Sequence, residues 1–203
     1  MTNLNELAQQ IHQNAKDKGF WDAPRNTGEI FMLIISELAE ALEADRKEDF
    51  ASISGLEKEK VRIADSGYNE ISAFKKAFEE YVKNTVEDEI ADTAIRILDY
   101  CAYNAITVDL EHFEQLGDFQ IEFDSFGDIL MMVNVFLCRA CACQKSIDFV
   151  ENETEIMGRL SNINGALVLL FNLAKSKGFD LMQHIELKMK YNATREHKNG
   201  KAY

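Results

Sequence analysis

Residues 28–44 read GEIFMLIISELAEALEA. Apolar residues recur three and four positions apart through this stretch, the period of a helix buried along one side. Thr27 stands in front of it as a candidate N-cap, and no helix breaker follows before about Ala44. The same period predicts helices over about 3–18 (Leu4, Leu7, Ile11, Ala15, stopped at Gly19), 69–84, 86–104, 126–144, 153–177 and 180–196. Residues 45–68 are polar and charge-mixed and read as a loop plus a short helix. Residues 105–125, with Gly117 and several acids, read as a connection. No window alternates with period two for long enough to make a strand. One proline and ten glycines in 203 residues argue against turn-rich sandwiches and barrels. The expected fold class is therefore all-α, a helical bundle forming a single domain over 1–203.

The chain is 46% hydrophobic and 28% charged, so it can bury a core and is not a disordered tail. Its formal charge of −13 repels phosphate backbones, and no nucleic acid polymer is expected as a partner. A nucleotide remains compatible, because a divalent cation can bridge acidic residues to phosphates. No apolar run approaches the roughly 20 residues of a membrane span, so no membrane partner is expected. The opening MTNLNELAQQ has neither a basic n-region nor an h-region, and a cytoplasmic location follows as the expectation. Cys101, Cys138, Cys141 and Cys143 read as buried free thiols. A metal site built from the last three lacks a fourth nearby ligand.

Two pairs of carboxylates stand out. Glu37 and Glu40 lie three residues apart, on one face of the predicted 27–44 helix. Ile30, Leu33, Ala41 and Ala44 fall within about 60° of Glu37 on the helical wheel. Two like charges on such a stripe call for a cation or for protons, unless that side of the helix is solvated. The second pair is Glu89 and Asp92, in the run VEDEIAD (86–92). Taken alone it reads as a solvent-facing helix start, since Ile90, Ala94, Ile97, Leu98 and Cys101 lie nearly opposite. Its own stripe carries Thr85, Arg96 and Tyr103. Together the four acids make an oxygen-only cage suited to Mg²⁺ or Mn²⁺. A di-iron bundle would need Glu-x-x-His motifs. None of His12, His112, His184 and His197 follows a glutamate by three.

Near the C-terminus His184, Lys188, Tyr191, Asn192 and Arg195 share a stripe, with Lys198 and Lys201 beyond. Such a basic end can hold phosphate oxygens, or can simply offset the helix dipole. There is also an internal similarity. Residues 28–44 lie without a gap on 127–143 (GDILMMVNVFLCRACAC), and 94–98 lie on 166–170, in the same order. This reads as a degenerate tandem duplication of a two-helix unit, with 1–110 as the active unit and 120–203 as the degenerate one.

Four blocks together resemble the all-α nucleoside triphosphate pyrophosphohydrolases. This is the MazG-like superfamily, which includes the dimeric dUTPases and the dCTP pyrophosphatases. The blocks are KGFWD…RNTGEI (18–30), SELAEALEADRK (36–47), VEDEIADTAIRILD (86–99) and KMKYNATREHKNGK (188–201). They cover about a third of the chain, in the family's order. Two details depart from the pattern: Glu196 stands where the family has proline, and Asn199-Gly200 where it has His-Gly. The spacing between the acidic motifs is also long. About 40 extra residues precede the terminal block, which a second unit would explain. In that unit Phe136, Arg139 and Asn164 would stand in the places of Glu37, Glu40 and Asp92, leaving it without catalytic acids.

The resemblance implies hydrolysis of a nucleoside triphosphate to the monophosphate and pyrophosphate, as in nucleotide-pool clean-up. It implies Glu37, Glu40, Glu89 and Asp92 as ligands of Mg²⁺ (or Mn²⁺), with Glu37 or Glu40 activating water. Lys188, Asn192 and Arg195 would bind substrate, and Trp21 and Phe20 could stack on the base, although a loop tryptophan packed on helices is equally compatible. Two other readings stay open: a dUTPase- or dCTPase-type specialist, and a non-enzymatic helical interaction module. A paired-unit chain can stand as a monomer or as a homodimer through its spare helix faces.

Overall fold

The computed structural model describes residues 3–110, 124–150 and 152–197. Among these residues it is all-helical, with eight helices and no strand. They are α1 (Leu4–Asp17), α2 (Thr27–Arg46), α3 (Ile53–Asp65), α4 (Glu70–Tyr81), α5 (Val86–Tyr103), α6 (Phe126–Phe149), α7 (Glu153–Lys177) and α8 (Leu181–Ala193). Each begins on a residue whose side chain accepts from the first free backbone N–H groups: Asn3, Asn26, Ser52, Asn69, Thr85, Ser125, Asn152 and Asp180. The cap of α2 is thus Asn26, not Thr27, because the Asn26 carboxamide reaches both Gly28 N and Glu29 N. Helix α6 runs to Phe149, beyond the expected end near 144. Its last turn is held from inside, where Gln144 accepts from Tyr100 Oη at 2.9 Å and donates to Asp148 Oδ1 at 2.8 Å.

Helix α5 is the axis of the bundle. It packs against α1, α2, α7 and α8, and α6 closes the assembly against α2 and α7. Helices α2 and α6 are antiparallel: a Cβ at Gly28 would lie 3.6 Å from Lys145 Nζ, and one at Gly127 4.0 Å from Leu42 Cδ1. Ile34, Ile90, Leu98, Leu137 and Leu167 are among the side chains fully enclosed in this core. A second, smaller core lies between α3, α4 and α8. There Leu56, Phe74, Phe78 and Val82 surround Tyr191, whose ring stacks on Phe78 at 4.4 Å.

Two sequence expectations are corrected. Only Cys101 is a buried thiol, its pKa pushed up to about 12 by burial. Cys138 is exposed, and Cys141 and Cys143 are half-buried, because the fully buried stripe of α6 is Leu130, Val133, Leu137, Ala140 and Gln144. Helices α6 and α7 are also long and apolar enough to cross a membrane, with mean hydropathies of 1.6 and 1.2. No uninterrupted apolar run marks α6 in the sequence, because Asp128 and Arg139 interrupt it. By length and composition alone this is weak, since half of the α7 window is buried against the rest of the protein, as in a core helix of a soluble chain.

Phe78→Ala should cost about 3–5 kcal/mol, the usual range for truncating a buried aromatic. The loss should fall on the α3–α4 hairpin first, which urea unfolding combined with amide exchange would read.

Candidate active site

Where α2 crosses α5, one carboxylate oxygen from each of Glu37, Glu89 and Asp92 comes within 4.8 Å of the others. The site follows from the helix register. Glu37 belongs to the buried stripe of α2 with Ile34, Leu38 and Ala41. The acidic first turn of α5 is enclosed by α2, by α8 and by the segment leading in from α4. This corrects the reading of that turn as solvent-facing: Glu89 is 3% exposed and Asp88 1%. The wheel placed these acids opposite the apolar face correctly, but α5 is covered on both sides.

Such burial demands compensation, and each acid has a partner. The Arg96 guanidinium lies 2.7 Å from Glu37 Oε1. Lys188 Nζ, itself 4% exposed, lies 2.7 Å from Asp88 Oδ2 and 2.9 Å from Asp92 Oδ2. Asn84 N–H donates to Asp88 at 2.9 Å, and Ala51 N–H donates to Glu87 at 2.8 Å. Two cations do not neutralise Glu37, Asp88, Glu89 and Asp92, and a proton takes part of the difference. Burial above all, reinforced by Asp88, Asp92 and Glu37 against the opposing Lys188, pushes Glu89 up to about 9. Burial raises Glu37 as well, with Arg96 opposing, and Glu37 is hydrogen-bonded to Glu89. Asp88 is raised to about 6, by burial first and against the pull of Lys188. For Lys188, burial works against the charge, but Asp92 and Asp88 outweigh it and hold the ammonium above its usual range. A divalent ion at this trio would take the place of the Glu89 proton. An oxygen-only donor set of this kind fits a hard cation.

Asp92 and Arg96 also line a cavity of about 100 Å³ bounded by α1, α5 and the end of α8. Phe20 and Arg25 reach it from the 18–26 loop, and Asn192 and Arg195 from the other side. Two polar atoms at its walls, Arg96 Nε and Asn192 Oδ1, are buried without a hydrogen bond. Burial first and then Arg96 lower the pKa of Arg25, while Asp99 and Glu29 support its charge. Three guanidinium groups around one small cavity suit an anionic ligand.

The expected residues divide accordingly. Glu37, Glu89 and Asp92 converge. Glu40 lies on the exposed side of α2, outside the trio, because its position on the wheel leaves the buried stripe; its charge still acts on Glu37. Asn192 and Arg195 reach the cavity. Lys188 does not line it, being held between Asp88 and Asp92. The C-terminal stripe is therefore core-facing at His184, Lys188 and Tyr191, and α8 ends at Ala193, before Arg195. Trp21 stacks on Tyr103 at 4.1 Å and donates to Asp99, while its neighbour Phe20 lines the cavity. Lys198, Asn199, Gly200 and Lys201 lie outside the described residues, as does His112.

Sequence reasoning did not single out Asp88, Arg96, Asp99 or Arg25 as parts of the site. Arg96 carried a signal, since it follows Asp92 by four residues and shares its stripe. Arg25 sits in a loop, where no period exists to reveal it. Comparison of the chain with protein families, curated proteins and solved structures gives no match.

A carboxyl raised on folding stabilises the fold below its unfolded value and loses that contribution as pH rises through its folded value. For Glu89 the window runs from about 4.5 to about 9. In EDTA, Glu89→Gln should therefore melt several degrees above the parent at pH 8, with the gap narrowing toward pH 5. A gap independent of pH would contradict the buried protonated carboxyl.

Proposed function

We propose that this chain is a Mg²⁺-dependent nucleoside triphosphate pyrophosphohydrolase of the MazG-like type, converting a (d)NTP and water to the (d)NMP and pyrophosphate. One observation carries the reading. Three carboxylate oxygens from two helices converge beside a cavity ringed by Arg25, Arg96 and Arg195. Acids to hold a divalent ion and cations to hold phosphates are the two requirements of phosphoanhydride hydrolysis.

Glu37, Glu89 and Asp92 would hold the ion. When bound, Mg²⁺ supplies charge neutralisation of the triphosphate and a more acidic water. The protein's own groups do the rest. Arg25 and Arg195 bind phosphate oxygens, and Asn192 offers its unpartnered carbonyl to a ligand hydroxyl or amine. Arg96 steadies Glu37, and Lys188 steadies Asp92 from behind. Glu40 stands at the exposed edge of the trio, where a carboxylate can orient or deprotonate the water that attacks the α-phosphorus in line. The helix pairing is compatible with a two-unit chain, since α2 packs on α5 as α6 packs on α7, and the pairs meet through α2–α6 and α5–α7. In that scheme α6 and α7 serve as the structural partner of the active pair.

A second reading, the helical interaction module, draws on one observation: Met131, Phe149, Val150 and Met157 leave apolar surface exposed around α6 and the start of α7.

A panel of dNTPs and NTPs with Mg²⁺, resolved for pyrophosphate and phosphate against an EDTA control, separates the two. Pyrophosphate with monophosphate is the expected product pair, and the preferred base identifies a specialist. Asp92→Asn and Glu40→Gln should each lose at least about 100-fold in kcat with helicity retained. Full activity in both variants, or no turnover of any nucleotide by the folded protein, overturns the proposal.

A further inference from the structure

The 18–26 loop forms one wall of the cavity beside the carboxylates, and Asp99 of α5 fastens it to the bundle core. Asp99 Oδ1 receives His12 Nδ1 at 2.6 Å, and both Asp99 oxygens receive Trp21 Nε1 at 3.1 Å. The Trp21 ring is clamped between partners: it stacks on Tyr103 at 4.1 Å and meets His12 edge-on at 5.2 Å. Asp99 also lines the cavity and acts on Arg25, whose guanidinium lies 5.8 Å from the Trp21 ring centre.

The loop is also held toward the end of α8. Lys18 Nζ donates to Ala193 O at 2.8 Å and to Arg195 O at 2.6 Å. His197 Nε2 lies 3.4 Å from Asp22 Oδ2, with both side chains more than half exposed. Gly19 is in the left-handed region, with φ +77°, and passes directly beneath His197; a Cβ there would lie 2.0 Å from the ring. The inner anchor is thus a partly buried, charge-assisted acceptor with two donors, while the outer side is held by Lys18 on two backbone carbonyls and by an exposed His197–Asp22 pair.

Size gives this asymmetry its meaning. Sites for ligands of nucleotide size usually enclose roughly 300–1,000 Å³, and this cavity holds about 100 Å³. On the far side of the same loop lies a groove of about 530 Å³, lined by Ala23, Pro24, Met32 and Leu33. Phe20 and Arg25 line both spaces and separate them.

We propose that Asp99 is a positioning residue, which holds the 18–26 loop through Trp21 and His12 so that Phe20 and Arg25 form the partition between cavity and groove and set how a phosphate-bearing ligand reaches the carboxylates. The choice of ligand rests on the nucleotide reading above; the anchoring does not. Asp99 has no part in the chemistry, because it lies outside the carboxylate trio. Its loss acts on ligand binding through Arg25 and Phe20.

The test uses the full chain and its only tryptophan. In Asp99→Ala, Trp21 emission should shift to the red and become more open to acrylamide quenching. Affinity for inorganic pyrophosphate in the presence of Mg²⁺ should fall on the order of tenfold, and the nucleotide KM should rise similarly, with kcat within about twofold. Asp99→Asn keeps an acceptor for Trp21 and should restore both emission and affinity. Trp21→Phe, which keeps an aromatic ring for Tyr103 but removes the donor, guards against misfolding of the alanine variant. With helicity intact it should lose pyrophosphate affinity several-fold. Unchanged Trp21 emission in Asp99→Ala overturns the proposal, as does a fall in kcat at constant KM. If the parent chain binds no pyrophosphate, the nucleotide reading fails, and Trp21 emission in Asp99→Ala alone decides for or against the anchor.

Discussion

The bundle depends on compensating the acidic first turn of α5. Asp88 and Glu89 are buried together with Glu37, and Asp92 half-buried beside them, where ionised carboxylates without partners would cost several kcal/mol each. Arg96, Lys188 and the proton on Glu89 supply that compensation. Each comes from a different source: Arg96 from the same helix one turn on, Lys188 from α8, nearly a hundred residues away, and the proton from solvent. The packing of α8 against α5 is therefore an electrostatic requirement as well as a hydrophobic one. Removing Lys188 alone would strand the buried Asp88 and the half-buried Asp92.

This arrangement explains how α8 acts both in the fold and beside the cavity. Its inward stripe, Ile185, Lys188 and Tyr191, joins the two hydrophobic cores and neutralises the acids. The last turn of α8 and the residues after it bring Asn192 and Arg195 to the cavity, and the carbonyls of Ala193 and Arg195 receive Lys18 from the loop opposite. The end of α1, the 18–26 loop and the end of α8 thereby surround one opening. The α3–α4 hairpin is attached differently. It rests on Tyr191 and enters α5 through Asn84, whose N–H binds Asp88, so a disturbance of the hairpin reaches the carboxylates along the backbone.

Helix positions and the all-α class were legible because they depend on local rules. The 28–44 stretch and the absence of a period-two pattern are properties of neighbouring residues. Glu37 was legible for the same reason, since a carboxylate at helical spacing on an apolar stripe is unusual, whereas Glu89 and Asp92 stood out only through their pairing with it and through the family resemblance. The errors have one origin. Glu89 and Asp92 read as solvent-facing, and the cysteines of α6 as buried, because a helical wheel reports which residues share a face and not how many faces are covered. The first turn of α5 is covered on both sides, whereas α6 is fully buried along one stripe.

The partners of each acid come from non-local packing, which leaves no period behind. Lys188 looked like a free phosphate ligand until α8 was laid against α5. Arg25 and Asp99 lay within the blocks of the resemblance but carried no signal from periodicity, because one sits in a loop and the other acts through its contacts with His12 and Trp21. Local propensity and patterning thus suffice to specify the helices and to mark the acids. Which side chains neutralise those acids, and where a ligand could enter, depends on distances between segments far apart in the chain, set when the helices condense around α5.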